Sequence, residues 1–161
     1  MKEEIKAAKQ LMKEKTRPYQ TYGYYLAIPI VLIVTLIVPF LGIDLPNSLG
    51  SILLIFTIFA NIGVSKLSLL SKRKYVAPIL MYIANGVSLF ALILMLPLLL
   101  SLEGAYVAIG ALYLIIFPLE ISAIIFFFMT ANDIKKAYPR MKQESEDARK
   151  KYLAIKKHKD E

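Results

Sequence analysis

Residues 104–131 read GAYVAIGALYLIIFPLEISAIIFFFMTA, and the only charged side chain in that stretch is Glu120. A helix rises about 1.5 Å per residue, so roughly 20 apolar residues cross a hydrocarbon core of about 30 Å. The run exceeds that length, and a segment of this kind is a membrane span that tilts or protrudes.

Three further apolar runs precede it, at about 22–41, 48–70 and 75–100. The links between runs are short and rich in turn residues: Gly42 to Asn47, Ser71 to Lys74, and Ser101 to Gly104. Links of this length make sequential helices antiparallel neighbours. The expected fold class is therefore an all-α integral membrane protein, a four-helix up-down bundle over residues 22–131. The first run is too long for the apolar region of a signal peptide and is read as an uncleaved span.

Charge sets the expected orientation. Of the 20 Lys and Arg residues, six lie between Lys2 and Arg17, four are Lys66, Lys72, Arg73 and Lys74, and ten lie between Lys135 and Lys159. The two opposite loops carry only Asp44 and Glu103. Basic residues collect on the cytoplasmic side of short loops, so the chain is expected in the cell membrane as a multi-pass protein with both termini cytoplasmic. Tyr19, Tyr22, Tyr24, Tyr25, Tyr75 and Tyr138 cluster at that same boundary, where amphipathic rings settle. The net charge of +8 is accounted for by this asymmetry, and no nucleic-acid partner is expected.

Two charged segments flank the bundle. In residues 1–17, Met1, Ile5, Ala8 and Met12 share one helical face while Lys2, Lys6, Lys9 and Lys13 line another. Such an amphipathic helix, closed off by Pro18, is expected to lie in the interface against anionic headgroups. Lys72, Arg73 and Lys74 are expected at the same headgroup level. Residues 139–157 form a second, cytoplasmic helix, with i,i+4 pairs Glu146–Lys150 and Asp147–Lys151 and a narrow apolar stripe of Met141, Ala148, Tyr152 and Ile155. That stripe suits either docking on a partner or a solvated charged helix.

Composition excludes several chemistries. There is no cysteine and one histidine, His158, so thiolate centres, Cys nucleophiles and a bis-His haem within the chain are ruled out. No phosphate-cradling glycine loop, nucleophile elbow or His/Glu metal spacing is present. No cofactor and no catalytic residue is expected.

Glu120 is the informative side chain. A charged group at mid-span costs about 2.5–3.5 kcal/mol on insertion scales, and removal from water favours the protonated acid. Pro118, two residues earlier, takes the helical donor away from the Leu114 carbonyl. Counting depth from the cytoplasmic boundary puts Asn61 and Asn85 near the same level, so a polar layer of Glu120, Asn85 and Asn61 is the expected way to satisfy all three. Such a layer is compatible with polar glue between helices, a proton or ion site, or a contact with another subunit.

The expected function is a non-catalytic integral subunit of a larger membrane complex, with energy-transducing and respiratory assemblies as the type of context. The alternative is a small homo-oligomeric transporter or channel using Glu120 as an intramembrane site. Expected partners are anionic lipid headgroups on the cytoplasmic side and other membrane subunits.

Overall fold

The computed structural model describes residues 2–44, 46, 48–97 and 102–160. Every α-helix or 3-10 turn in it follows from the apolar runs or from the charged flanks. There are five α-helices: α1 (Lys2–Ile37), α2 (Leu49–Ser65), α3 (Val76–Met95), α4 (Leu102–Ala137) and α5 (Met141–Asp160). Three of them hold segments long and apolar enough to cross a membrane, Glu3–Ile37, Lys72–Ala91 and Gly110–Ala137, while Leu49–Ser65 is a shorter apolar helix.

The expected in-plane helix over residues 1–17 is corrected. Residues 2–37 form one continuous helix that runs through Pro18 and Pro29. Proline in a helix interior costs about 3 kcal/mol and tends to kink the chain. Here Pro18 is buried, and residues on both sides of it, from Met12 to Gln20, share a cleft with Ser145 and Arg149 of α5. Packing across the proline splints the helix. α1 ends where Pro39 and Gly42 intervene. Gly42 takes φ 70°, and its N–H donates to the Pro39 carbonyl, a left-handed cap that side chains with a Cβ rarely adopt.

The two apolar stripes of the flanks face one another. α5 packs on α1, and Ala8 of α1 and Met141, Ser145 and Ala148 of α5 are all buried. The part-buried positions continue the pattern: Ile5 and Met12 on one helix, Tyr152 and Ile155 on the other. On α5 the spacing 141, 145, 148, 152, 155 alternates four and three, the seam of a coiled coil. Ala8 lies about 20 Å along α1 from the first apolar run, so only an α5 running antiparallel to α1 reaches it. The stripe expected to meet lipid is therefore covered by the chain's own C-terminal helix. Met1 and the side chain of Lys2 lie outside the described residues. Lys6, Lys9 and Lys13 are exposed on the outside of this two-helix stalk.

Lys15 Nζ donates to Glu144 Oε2 at 2.8 Å across the stalk. That hydrogen bond is the main reason the Glu144 carboxyl is held below the usual carboxylate range, with attraction from Lys15 and Arg140 adding to it. A depressed folded value means the contribution is present above the unfolded carboxyl value of about 4.3 and is lost as pH falls through the folded one. Both partners are solvent-exposed, so Glu144→Gln should loosen the stalk by only roughly 0.2–1 kcal/mol. Spin labels at the exposed positions Gln10 and Lys156 provide the check. Their distance distribution should broaden in acid for the native chain and be broad at all pH in the Gln variant. An acid-independent distribution would mean that the apolar seam alone holds the stalk.

α1 is the central helix, in contact with α2, α4 and α5, while α3 packs mainly on α4. The core sits in the half nearer the stalk: Tyr25, Ile28 and Leu32 of α1 meet Ala60 and Val64 of α2, Ala77 and Met81 of α3, and Ala123, Phe127 and Ile134 of α4. Among the described residues none of α1 beyond Leu32, of α3 beyond Ala84, or of α4 before Ala123 is buried. Tyr106 and Leu114 are 77% and 79% exposed.

Two run boundaries also shift. The second run was expected to reach Leu70, but α2 stops at Ser65, and its last carbonyls are closed by Lys66 N–H to Gly63 and Leu67 N–H to Val64. The third run was expected to reach Leu100; α3 ends at Met95 and residues 98–100 lie outside the described set.

Candidate functional site

The three candidate polar residues do not form a shared hydrogen-bonded layer. Asn85 Nδ2 donates to the Met81 carbonyl, one turn back on its own helix, at 2.8 Å. A short amide inside a helix finds this local acceptor readily. Asn61 is half-buried on α2. Neither makes a hydrogen bond to Glu120, whose carboxyl has no hydrogen bond or ion pair among the described residues. Depth counting placed them at one level but said nothing of which way each faces around its helix.

Glu120 instead lines a cavity of about 340 Å³ with Thr35 and Leu36 of α1, Ser88 of α3, and Leu112, Tyr113 and Ile116 of α4. A second cavity of about 590 Å³ shares Thr35, Leu36 and Tyr113 and adds Pro39, Gly110, Leu114, Phe117 and Pro118. The two adjoin in the loosely packed half of the bundle, and Glu120 lines the smaller, a cleft between α1, α3 and α4. The hydroxyls on its walls have already given their protons away: Thr35 Oγ1 donates to the Leu32 carbonyl at 2.8 Å and Ser88 Oγ to the Ala84 carbonyl at 2.7 Å. What remains on those oxygens is acceptor capacity. No Lys, Arg or His lines either cavity.

At the end nearer the stalk the structure builds a lock that the sequence did not announce. Lys74, expected as a headgroup anchor, is only 8% exposed. Its Nζ donates to the Leu67 carbonyl just past the end of α2, at 2.7 Å, and lies 5.2 Å from the centroid of the Tyr75 ring. Cations favour both a helix C-terminal carbonyl end and an aromatic face. The Lys74 carbonyl accepts from the Tyr25 hydroxyl at 2.7 Å. The reason lies four residues on. A helix would offer that carbonyl the N–H of residue 78, which is Pro78 and has none. Tyr25 supplies the missing donor from α1, and its ring meets Phe127 of α4 edge-on with centroids 5.1 Å apart. Arg73 pairs with Asp133 of α4 at 3.0 Å, while Lys72 and Arg73 stay exposed as expected. The loop between α2 and α3 is thus tied to α1 and α4. A proline four residues after a boundary lysine was the one legible signal for it.

α1 and α2 approach closely at Thr21 and Gly63, where a Cβ on Gly63 would fall on the Thr21 side chain. Thr130 of α4 is buried with its Oγ1 unpartnered. No group of three or more metal-ligating side chains exists among the described residues.

Comparison with protein-family models, curated proteins and solved structures finds no match to the chain.

Proposed function

We propose that this chain is a non-catalytic integral membrane subunit that crosses the bilayer four times and contributes structure and assembly to a larger membrane complex. One observation carries the proposal: packing stops halfway. The cytoplasmic half is closed by a core and by the Tyr25–Lys74–Leu67 and Arg73–Asp133 ties. In the other half Leu89, Phe90, Ile93 and Leu94 of α3 and Val107 and Leu114 of α4 stand exposed, with a cleft between α1 and α4. Such faces, too extensive for one chain to cover, suit neighbouring subunits. The stalk offers those neighbours a second, cytoplasmic surface.

Parity supports four crossings. The start of α1 and the whole of α5 pack together, so they lie on one side of the membrane and the number of crossings between them is even. The three long apolar helices make an odd number, and α2, with 17 residues, is at the lower end of spanning length. The basic residues of the stalk and of the 72–74 loop support a cytoplasmic location for that side. Cysteines substituted at the exposed Asp44 and Glu103 should react with an impermeant reagent added outside sealed cells, and one at Ser71 should not. Labelling of Ser71 from outside would reverse the orientation.

Extraction in native lipid followed by mass spectrometry tests the subunit proposal. Larger membrane proteins should accompany the chain in fixed ratio, and Glu120→Gln, which keeps size and hydrogen-bonding capacity, should leave that ratio intact. A chain that runs alone as a symmetric oligomer would instead favour the transporter reading, for which the Glu120 cleft is the supporting observation.

A further inference from the structure

We infer that the cleft between α1, α3 and α4 is a binding site for a lipophilic cation, with Glu120 as the counter-charge. This inference stands apart from the subunit proposal and depends only on the cleft.

The chemistry of the walls carries it. At about 340 Å³, the cleft is in the range of roughly 300–1,000 Å³ that holds small organic ligands. Its polar groups nearly all accept rather than donate. The Glu120 carboxyl has no partner among the described residues, and the oxygens of Thr35 and Ser88 have committed their protons to their own helices. Among the described residues of the walls the Tyr113 hydroxyl is the one side-chain donor besides a protonated Glu120. An anion would find no positive group there. A cation finds a carboxyl that gives up its proton to become the counter-charge, two hydroxyl oxygens and the face of Tyr113, which attracts positive charge through its ring quadrupole. An ion pair in so dry a place is favourable only when it meets its counter-charge at close range. That requirement selects the ligand's charge as sharply as the apolar walls select its bulk.

Depth excludes a phospholipid headgroup as the source of that charge. Glu120 lies 12 residues before Asn132 in α4, about 18 Å along the helix, and a zwitterionic headgroup does not leave the interface to reach it. The ligand is an amphiphile whose charge is shielded or delocalised enough to enter hydrocarbon.

Tetraphenylphosphonium is the probe of choice, because it carries one delocalised charge on an apolar body. The full chain reconstituted in lipid nanodiscs should bind it saturably, at one site per chain, and Glu120→Gln should weaken that binding by about tenfold or more. Uncharged triphenylmethane should not compete for the native protein, a comparison that holds even if the Gln variant does not fold. Glu120→Asp should keep part of the affinity. Absence of saturable binding, equal competition by triphenylmethane, or a folded Gln variant within about twofold of the native affinity would each overturn the inference.

Discussion

Tyr25→Ala should be among the most damaging single substitutions in the chain, lowering stability in detergent by about 3–5 kcal/mol. Two losses combine. The ring is fully buried, and removing it empties the space against Phe127. Removing the hydroxyl strands the Lys74 carbonyl, whose helical donor is already missing at Pro78, and an unpaired buried acceptor costs roughly 1–3 kcal/mol. Tyr25→Phe separates the terms, since it keeps the ring and loses only the donor. It should sit about 1–3 kcal/mol below the native protein and well above the alanine variant. Unfolding by titration with a denaturing detergent, followed by circular dichroism, reads both. A Phe variant as stable as the native chain would show that the Tyr25–Lys74 bond contributes nothing to the lock.

Gly63→Leu should separate α1 from α2. A single added Cβ already falls on Thr21, and overpacking a tight contact costs about 1–3 kcal/mol even for small insertions. A leucine adds three further carbons to that contact. Within the bilayer, helices associate through close van der Waals approach rather than through exclusion of water, so lost proximity has no compensating term. Gly63→Ala gives a milder version suited to a double-mutant cycle. Because the obstructing atoms belong to the Thr21 side chain, Thr21→Ala in the Gly63→Ala background should recover most of the loss, a coupling that remote sites would not show. Additive losses in the double variant would place the clash elsewhere.

Much of the architecture was legible in the residues, and the reasons it was legible also explain where reading failed. Apolar length announces spanning helices directly: the run that contains Glu120 lies wholly within α4. The stripes in residues 1–17 and 139–157 were visible as stripes. Their mutual partnership was not, because nothing local says that Lys15 will meet Glu144, 129 positions away. Pro18 was read as a break because proline usually makes one, and only packing from α5 on both sides explains its continuity. At the centre of the bundle, depth alone was a poor guide. Counting put Asn85 and Glu120 at one level, yet no hydrogen bond joins them, and the Asn85 amide had an acceptor one turn away on its own helix. Lys74 failed for a related reason: a lysine at a membrane boundary is nearly always wet, and its burial depends on two carbonyls and a ring that the fold delivers.

The antiparallel stalk has a consequence in time. Its two strands are made at opposite ends of synthesis. At roughly 5–20 residues per second, the segment around Lys15 waits on the order of 6–26 s before the segment around Glu144 is made. Throughout that interval Ile5, Ala8 and Met12 have no mate, and their first opportunity comes only when every intervening helix has been threaded the right number of times. A hairpin inserted backwards would leave the two strands on opposite faces of the bilayer, unable to meet. Stalk closure is thus the last event of maturation and a readout of correct insertion. Nascent chains caught before it should show Ala8 open to protease or to a holding chaperone, and finished chains should not.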